Sequence, residues 1–164
     1  MKGKGMKKFL LAVAALPVLT MLFAGCGGNS TAQSGAQESA GNGALNAEDV
    51  AYAEPVVDNL LAGIKDRDYA VFSRDFSDTM KTMMPEDSLG TLADLLASKV
   101  GEYQSRSFAQ AADVTQNGVK YTVVTYTAKY SDEPEDMLII VTFGGDTEKK
   151  VDGLFFNSPK LREQ

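Results

Sequence analysis

Apolar residues recur at every third or fourth position near the start of the segment from residue 45 to residue 164, a spacing that predicts an amphipathic helix. These residues are Val50, Ala53, Val57, Leu60, Leu61 and Ile64. Asn46 is a suitable N-cap, and Glu48 and Asp49 would lie in the positive first turn. Because proline disfavours a helix interior, the helix either kinks at Pro55 or begins just before it.

Three shorter patterns follow this helix, and each has a recognisable boundary residue. A second short helix is predicted over 68–76, and Ser77 then caps a short turn over 78–84. Pro85 opens the next helix, which Gly101 ends because glycine readily adopts the left-handed cap conformation. The residues of this helix that we expect to face inward are Leu89, Leu92, Leu95, Leu96 and Val100.

The apolar period then shortens to two, which predicts strands. The predicted strands cover residues 105–115, 119–130, 137–143 and 149–156. Gln116, Asn117 and Gly118 supply a tight hairpin turn between the first two strands. Because 137–143 is continuously apolar, we expect that strand to be covered on both faces. The pattern predicts an α+β domain with N-terminal helices packed on the concave face of a curved four-stranded antiparallel sheet.

The first 25 residues have a different character from this domain. Residues 1–8 contain four lysines and no acidic residue, and residues 9–25 are apolar apart from Pro17, Thr20 and the closing glycine. A basic segment followed by an apolar one is typical of a secretory signal peptide. The alternative is an uncleaved N-terminal anchor, although a membrane-spanning helix usually needs about 20 apolar residues and seldom has proline near its middle.

The single cysteine of the chain, Cys26, follows this apolar segment directly. The stretch LFAGC at 22–26 resembles the lipobox of bacterial lipoproteins, although Phe23 stands where that pattern prefers leucine. The resemblance implies cleavage between Gly25 and Cys26 and acylation of Cys26. The alternative is a buried or stray cysteine, which could form no internal disulfide. The sequence therefore predicts a lipoprotein held by its acyl chains at the extracytoplasmic face of the cell membrane.

Residues 26–44 are predicted to be the acylated cysteine with a flexible tether, and residues 45–164 to be the folded domain. The tether is rich in glycine and serine, has no large apolar residue and has a random-coil reach of roughly 20–25 Å. Cleavage would remove four of the 16 basic residues and none of the 22 acidic ones, which leaves 12 against 22 and a formal charge of −10. This balance argues against nucleic acid as a partner and against electrostatic docking to anionic lipid.

Several stretches of the folded domain resemble the domain-of-unknown-function family numbered 3887. These stretches are NLL at 59–61, DRDYAVFSRDFSDTM at 66–80, KVGEY at 99–103, VVTYTAKY at 123–130 and DGLFF at 152–156. This family is grouped with the nuclear-transport-factor-two-like folds, in which a bent sheet and helices form a cone. The resemblance implies that fold and, through an exposed sheet face, a homodimer, but it names no chemistry.

The sequence contains no histidine, which excludes Ser–His and Cys–His nucleophiles and histidine-based zinc sites. Carboxylates and tyrosines remain as candidates. Folds of the resembled superfamily sometimes place an aspartate base beside tyrosine donors, and Asp113, Tyr103, Tyr121 and Tyr126 are the candidate pocket-lining residues for such a set. The alternative is that the tyrosines line the pocket without chemistry and Asp113 is a solvated charge at a strand end.

Two other clusters bear on metal binding. An acidic stretch around Pro134 lacks the ligand spacing and the turn glycine of a calcium loop, so we expect a charged loop. Its acidic residues are Asp132, Glu133, Glu135 and Asp136. Met80, Met83 and Met84 fit an adaptable core or a surface patch better than a soft-metal site. No metal site and no cofactor is predicted.

The main functional hypothesis is a non-catalytic module that binds a small ligand or an envelope protein. No catalytic residue is assigned under this hypothesis. The alternative is a small enzyme that uses Asp113 and the tyrosines for acid–base chemistry in a cavity. A transport-linked solute receptor is less favoured, because two lobes need far more chain.

Overall fold

The computed structural model describes residues 43–145 and 147–163, and within these ranges the helices precede most of the strands. The helices are α1 (Ala53–Asp66), α2 (Tyr69–Phe72), α3 (Asp78–Met83), α4 (Glu86–Lys99) and α5 (Pro159–Arg162). The strands are β1 (Ala44–Leu45), β2 (Tyr103–Gln116), β3 (Val119–Tyr130), β4 (Met137–Gly144) and β5 (Lys150–Asn157). The predicted signal peptide, the Gly25–Cys26 cleavage site and the tether up to residue 42 lie outside the described residues.

The strands form one open antiparallel sheet in the order β1-β2-β3-β4-β5. The α+β class is therefore confirmed, but the sheet has five strands where the sequence predicts four. The additional strand is β1, in which Ala44 pairs with Ala112 and Leu45 with Ala111. The sequence does not predict this strand, because two residues are too few to show a period of two and they adjoin the glycine-rich segment that is predicted to be a tether.

The hairpin between β2 and β3 forms as predicted. Asn117 and Gly118 have φ angles of 53° and 78°, and Gln116 pairs with Val119 across the turn. Two consecutive residues with positive φ give a two-residue turn whose twist matches that of the flanking strands. The Asn-Gly pair supplies that conformation at low steric cost.

The first two helices are shorter than predicted. Asn46 caps the turn before α1, because its Oδ1 accepts from the amides of Glu48 at 2.9 Å and Asp49 at 3.1 Å. The helix itself begins just before Pro55, which is one of the two predicted alternatives. Helix α2 ends four residues earlier than predicted, because the backbone at Phe76 forms a parallel bridge with Val151 of β5.

The boundaries of α3 and α4 agree with the prediction, with one correction among the inward residues. The Ser77 hydroxyl accepts from the Met80 amide at 3.1 Å and caps α3. Gly101, with a φ angle of 80°, ends α4 by donating to the Leu96 carbonyl at 3.1 Å. Leu95 was predicted to face inward but is 45% exposed, because it lies outside the narrow stripe of α4 that meets the core.

The core lies between the helices and one face of the sheet. Alternate residues of β3 and β4 point to this face and are buried, as expected for a period of two. They are Thr122, Val124, Tyr126, Ala128, Tyr130, Met137, Ile139, Val141 and Phe143. The intervening residues Leu138, Ile140 and Thr142 are only half-buried, so the expectation that β4 is covered on both faces is wrong. Within the described ranges, no helix is both long and apolar enough to cross a membrane.

Candidate functional site

A cavity of about 230 Å³ lies where the C-terminal ends of α1 and α4 meet the start of β2 and the end of β3. The helices contribute their last turns to its wall, and the sheet contributes the two strand ends. The lining residues are Leu61, Ile64, Lys65, Arg67, Ala93, Leu96, Ala97, Gly101, Glu102, Tyr103 and Tyr130.

The inner wall of the cavity is apolar. Its buried residues Leu61, Ile64, Ala93, Leu96 and Tyr130 are each at most 9% exposed. Tyr103 lies nearer the mouth and is 37% exposed, and its ring meets that of Tyr130 at a centroid distance of 5.7 Å and an interplanar angle of 69°. Two adjoining walls of the cavity are therefore aromatic and stand at a steep angle to each other.

Three charged residues line the mouth. The Arg67 Nη2 contacts Asp94 Oδ1 at 2.5 Å, so its charge has a close partner outside the cavity. Lys65 and Glu102 carry opposite charges, and neither side chain forms an ion pair with another described residue. The mouth thus offers one positive and one negative side chain to a bound molecule.

Backbone hydrogen bonds fix the segment that leads from α4 into β2 along the cavity. The Glu102 amide donates to Ser131 Oγ at 3.0 Å, and the Ser131 amide donates to the Glu102 carbonyl at 2.9 Å. The Asp132 amide donates to the Val100 carbonyl at 2.9 Å. A Cβ at Gly101 would collide with Ser131 Oγ, so glycine is required here by space as well as by its positive φ. This wall of the cavity is therefore preformed.

A buried arginine cluster adjoins the cavity beneath α1. The Arg106 side chain is 8% exposed, and its guanidinium contacts Glu54 Oε2 at 2.5 Å and Asp58 Oδ1 at 2.7 Å. Its Nη2 also donates to the Glu54 carbonyl at 3.1 Å, and its Cζ lies 4.7 Å from the centroid of the Tyr126 ring. Burial raises the pKa of Tyr103, although the nearby Arg106 charge opposes that shift. The Tyr103 hydroxyl therefore stays protonated at neutral pH and can donate a hydrogen bond.

The four predicted pocket residues do not share one pocket. Tyr103 lines the cavity, and Tyr126 is fully buried on the same sheet face under Arg106. Burial and the neighbouring Glu54 carboxylate raise the pKa of Tyr126. Tyr121 points to the opposite face of the sheet, where it lines a groove of about 380 Å³ together with Thr142. The sheet therefore separates Tyr121 from the other two tyrosines.

Asp113 lies near the hairpin end of β2, away from Tyr103 at the other end of the strand. Its Oδ2 contacts Lys120 Nζ at 2.8 Å, and its Oδ1 accepts from Thr122 Oγ1 at 2.9 Å. The Lys120 ammonium and the Thr122 hydroxyl together hold the pKa of Asp113 below its usual range. A general base needs a pKa near the working pH, so this environment gives no support to Asp113 as a base.

The acidic stretch around Pro134 is a loop that ties the end of the chain to the sheet. Glu133 is 7% exposed, and its Oε2 accepts from the Lys160 amide at 3.4 Å. A hydrogen bond from Ser158, at the N-cap of α5, lowers the pKa of Glu133. Asp136 pairs instead with Lys129 at 2.7 Å. In the described part of the chain, no three acidic or other metal-ligating residues come together as a metal site.

The three methionines lie in different environments in the folded domain. Met80 is 3% exposed and belongs to the core, Met83 is 63% exposed, and Met84 is half-buried against the core. Met84 also lines an apolar groove of about 250 Å³ beside β5, together with Leu95 and Phe155. The interpretation of these residues as core and surface patch fits this arrangement.

Sequence reasoning missed Lys65, Arg67 and Glu102 at the cavity mouth and Arg106 beneath α1. Lys65 and Arg67 at the end of α1 are far in sequence from Glu102, and they meet it only when α1 packs against α4. A signal for Arg106 does exist in the sequence. It is the one charged residue in the strand segment 103–112, and Glu54 and Asp58 are spaced to lie on one helix face.

Comparison with known proteins gives one match. The family model described as "Protein of unknown function (DUF3887)" matches residues 53–154, from the first residue of α1 into β5. Comparison with curated proteins and with solved structures gives no significant match. The matched range includes every residue that lines the cavity.

Proposed function

The chain belongs to the DUF3887 family, and we propose that it is a lipid-anchored extracytoplasmic lipoprotein whose folded domain is a non-catalytic binding module. The cavity between α1, α4 and the sheet is the proposed binding site. We further propose that the domain has the cone-like architecture of the nuclear-transport-factor-two-like folds. An open antiparallel sheet with helices packed on one face supports that assignment.

The membrane anchor is supported by the order of segments along the chain. A lysine-rich segment, an apolar segment and Cys26 precede a polar stretch that ends where β1 begins at Ala44. Two acyl chains on one cysteine give stable attachment, whereas a single chain is marginal. The tether would let the folded domain stand clear of the lipid headgroups.

The binding role rests on one observation, which is the apolar, aromatic-walled cavity at the ends of the two long helices. Concave apolar sites with a few polar groups at the mouth are the usual form of small-molecule sites. Its volume of about 230 Å³ lies below the roughly 300–1,000 Å³ that drug-sized ligands occupy. The proposed occupant is therefore a small molecule or a single side chain of an envelope protein.

Homodimerisation through the sheet face opposite the core is a further part of the proposal. On that face Val123 and Ile140 are half-buried and Phe155 is 58% exposed. Apolar side chains that stay accessible on a sheet face are suited to association with a second copy. The molar mass of the detergent-solubilised protein, measured by light scattering, tests this point, and a monomer at all concentrations would contradict it.

Cys26→Ser tests the anchor. The substitution is expected to release the protein from the membrane fraction or to leave an unprocessed precursor of higher mass. Because the folded domain begins well after residue 26, its circular dichroism spectrum should not change. A Cys26→Ser protein with the fractionation and mass of the wild type would refute lipidation.

Ala93→Phe tests the cavity, with Ala62→Phe as the matched control. Ala93 is 7% exposed and lines the cavity, whereas Ala62 is exposed on α1. Ligand-observed NMR with a set of small amphiphiles should find compounds that bind the wild type and Ala62→Phe but not Ala93→Phe. If no compound separates the two variants, the cavity is not a binding site.

A further inference from the structure

We infer that the cavity selects a small organic ammonium ion with a short, branched or aromatic apolar body. This inference rests on the proposed binding function and adds the chemical class of the ligand. It depends on the charge at the mouth, on the two helix ends beside it, and on the aromatic walls.

The net charge of the side chains at the mouth is about zero. Arg67 is neutralised by Asp94, whose Oδ1 lies 2.5 Å from the guanidinium. Lys65 and Glu102 have opposite charges and line the same mouth. The preference for one sign of ligand charge must therefore come from other groups.

Two helix C-termini supply a negative potential at this point. The last turns of α1 and α4 both line the cavity. A helix C-terminus is equivalent to roughly half a negative charge, so two of them approach one full charge. At the end of each helix, two backbone amides donate to the same carbonyl. The amides of Arg67 and Asp68 donate to the Gly63 carbonyl, and the amides of Val100 and Gly101 donate to the Leu96 carbonyl. Because both amides bond to one oxygen, they do not cap the carbonyls that follow it in the last turn.

The aromatic walls favour a cation as well. Tyr103 and Tyr130 both line the cavity, with their rings at 69° to each other. The face of an aromatic ring attracts a cation, and adjoining rings of this kind recognise organic ammonium ions. The remaining apolar wall, formed by Leu61, Ile64 and Leu96, is suited to the hydrocarbon part of the ligand.

Three probes with the same branched body test the inference on the full-length chain in mild detergent. They are 3-methylbutylammonium, 3-methyl-1-butanol and 4-methylpentanoate, which carry a positive, a neutral and a negative head. The expected order of affinity, measured by NMR titration, is ammonium, then alcohol, then carboxylate. We expect about fivefold between ammonium and alcohol, which corresponds to a modest electrostatic difference.

Substitutions at the mouth should change the ratio of ammonium affinity to alcohol affinity in opposite directions. Glu102→Gln should reduce the ammonium affinity severalfold and leave the alcohol affinity unchanged. Lys65→Met should strengthen ammonium binding, because it removes the positive charge that opposes the ligand. Both residues are on the surface of the cavity mouth, so neither variant should disturb folding, which the circular dichroism spectrum verifies.

The outcomes separate the inference from the proposed function. If the alcohol or the carboxylate binds in the cavity more tightly than the ammonium, the ligand class is wrong and the binding function stands. If none of the three probes binds the wild type and Ala93→Phe behaves identically, the inference fails together with the proposed site. If the ammonium binds equally to Ala93→Phe, it binds elsewhere and the inference is overturned.

Discussion

The Arg106 guanidinium lies 4.7 Å from the centroid of the Tyr126 ring, and both side chains are almost completely buried. The arginine is held there by Glu54 and Asp58, which stand one turn apart on α1. The contact joins the first helix to β2 and β3 at the centre of the sheet. It thereby fixes the position of α1, whose far end forms one wall of the cavity.

Arg106→Met should destabilise the protein by about 2 kcal/mol, because it removes a buried charge bonded to two carboxylates and a cation–π contact. The cost stays below that of a fully buried pair, since the Glu54 and Asp58 side chains are 49% and 70% exposed. Urea denaturation followed by circular dichroism measures the change.

Arg74→Met is the matched control for this change. Arg74 is 58% exposed and lies 3.6 Å from Asp75, so its loss should cost no more than about 0.5 kcal/mol. Equal effects of the two substitutions would show that the Arg106 cluster does not hold α1 in place.

Gly63→Ala and Gly90→Ala should have opposite effects on stability, although both glycines lie within helices. Alanine is favoured over glycine in a helix by up to about 1 kcal/mol, and a Cβ at Gly90 meets no atom within 4 Å. A Cβ at Gly63 would lie 2.5 Å from the backbone nitrogen of Phe72 and force α1 and α2 apart. Gly90→Ala should therefore stabilise, and Gly63→Ala should destabilise by about 2 kcal/mol.

Thermal unfolding followed by circular dichroism distinguishes these two substitutions directly. We expect a higher Tm than that of the wild type for Gly90→Ala and a lower one for Gly63→Ala. Stabilisation by both would show that α1 and α2 do not approach each other as closely as described.

Asp113 should contribute stability that disappears in acid. Its pKa in the folded protein is lowered by Lys120 and Thr122, so the folded state favours the ionised carboxylate. This contribution is present above the unfolded pKa of about 3.9 and is lost as the pH falls through the lower folded value. The stability difference between wild type and Asp113→Asn should thus be largest near neutral pH and shrink below about pH 4.

Urea midpoints of wild type and Asp113→Asn at several pH values test this prediction. Asp136→Asn serves as a control, because its ion pair with Lys129 is exposed on both sides and should contribute little. A difference for Asp113→Asn that stays constant from neutral pH into acid would contradict the proposed pairing.

Ser77→Ala should cost about 1 kcal/mol, because the hydroxyl caps α3 by accepting from the Met80 amide. Ser98 near the end of α4 is exposed and donates only to the Leu95 carbonyl, so Ser98→Ala should cost less than about 0.5 kcal/mol. Equal losses in urea denaturation would show that the Ser77 cap has no special role.

Local patterns predicted most of the elements of this fold. The apolar period located α1, α4 and the four long strands, and the Asn117-Gly118 pair located the hairpin. These features depend on residues that are close in sequence. The two-residue strand β1 was missed because its existence depends on pairing with Ala111 and Ala112, far along the chain.

The candidate site was less accessible to sequence reasoning. Of the four predicted pocket residues, only Tyr103 lines the cavity, because two bulges in β2 and the alternation of β3 decide which face each side chain occupies. The cavity itself arises where the ends of α1 and α4 meet the start of β2 and the end of β3. No local pattern encodes that meeting of four elements, whereas the spacing of Glu54 and Asp58 on one helix face is visible in the sequence.

The most direct test of the binding account is native mass spectrometry of the full-length protein extracted from membranes in mild detergent. We expect a low-mass adduct on the wild type and on Ala62→Phe, and its loss from Ala93→Phe. The mass of the adduct would identify the natural ligand and its charge class. A wild-type spectrum without any adduct, or an adduct that Ala93→Phe retains, would contradict the cavity as the binding site.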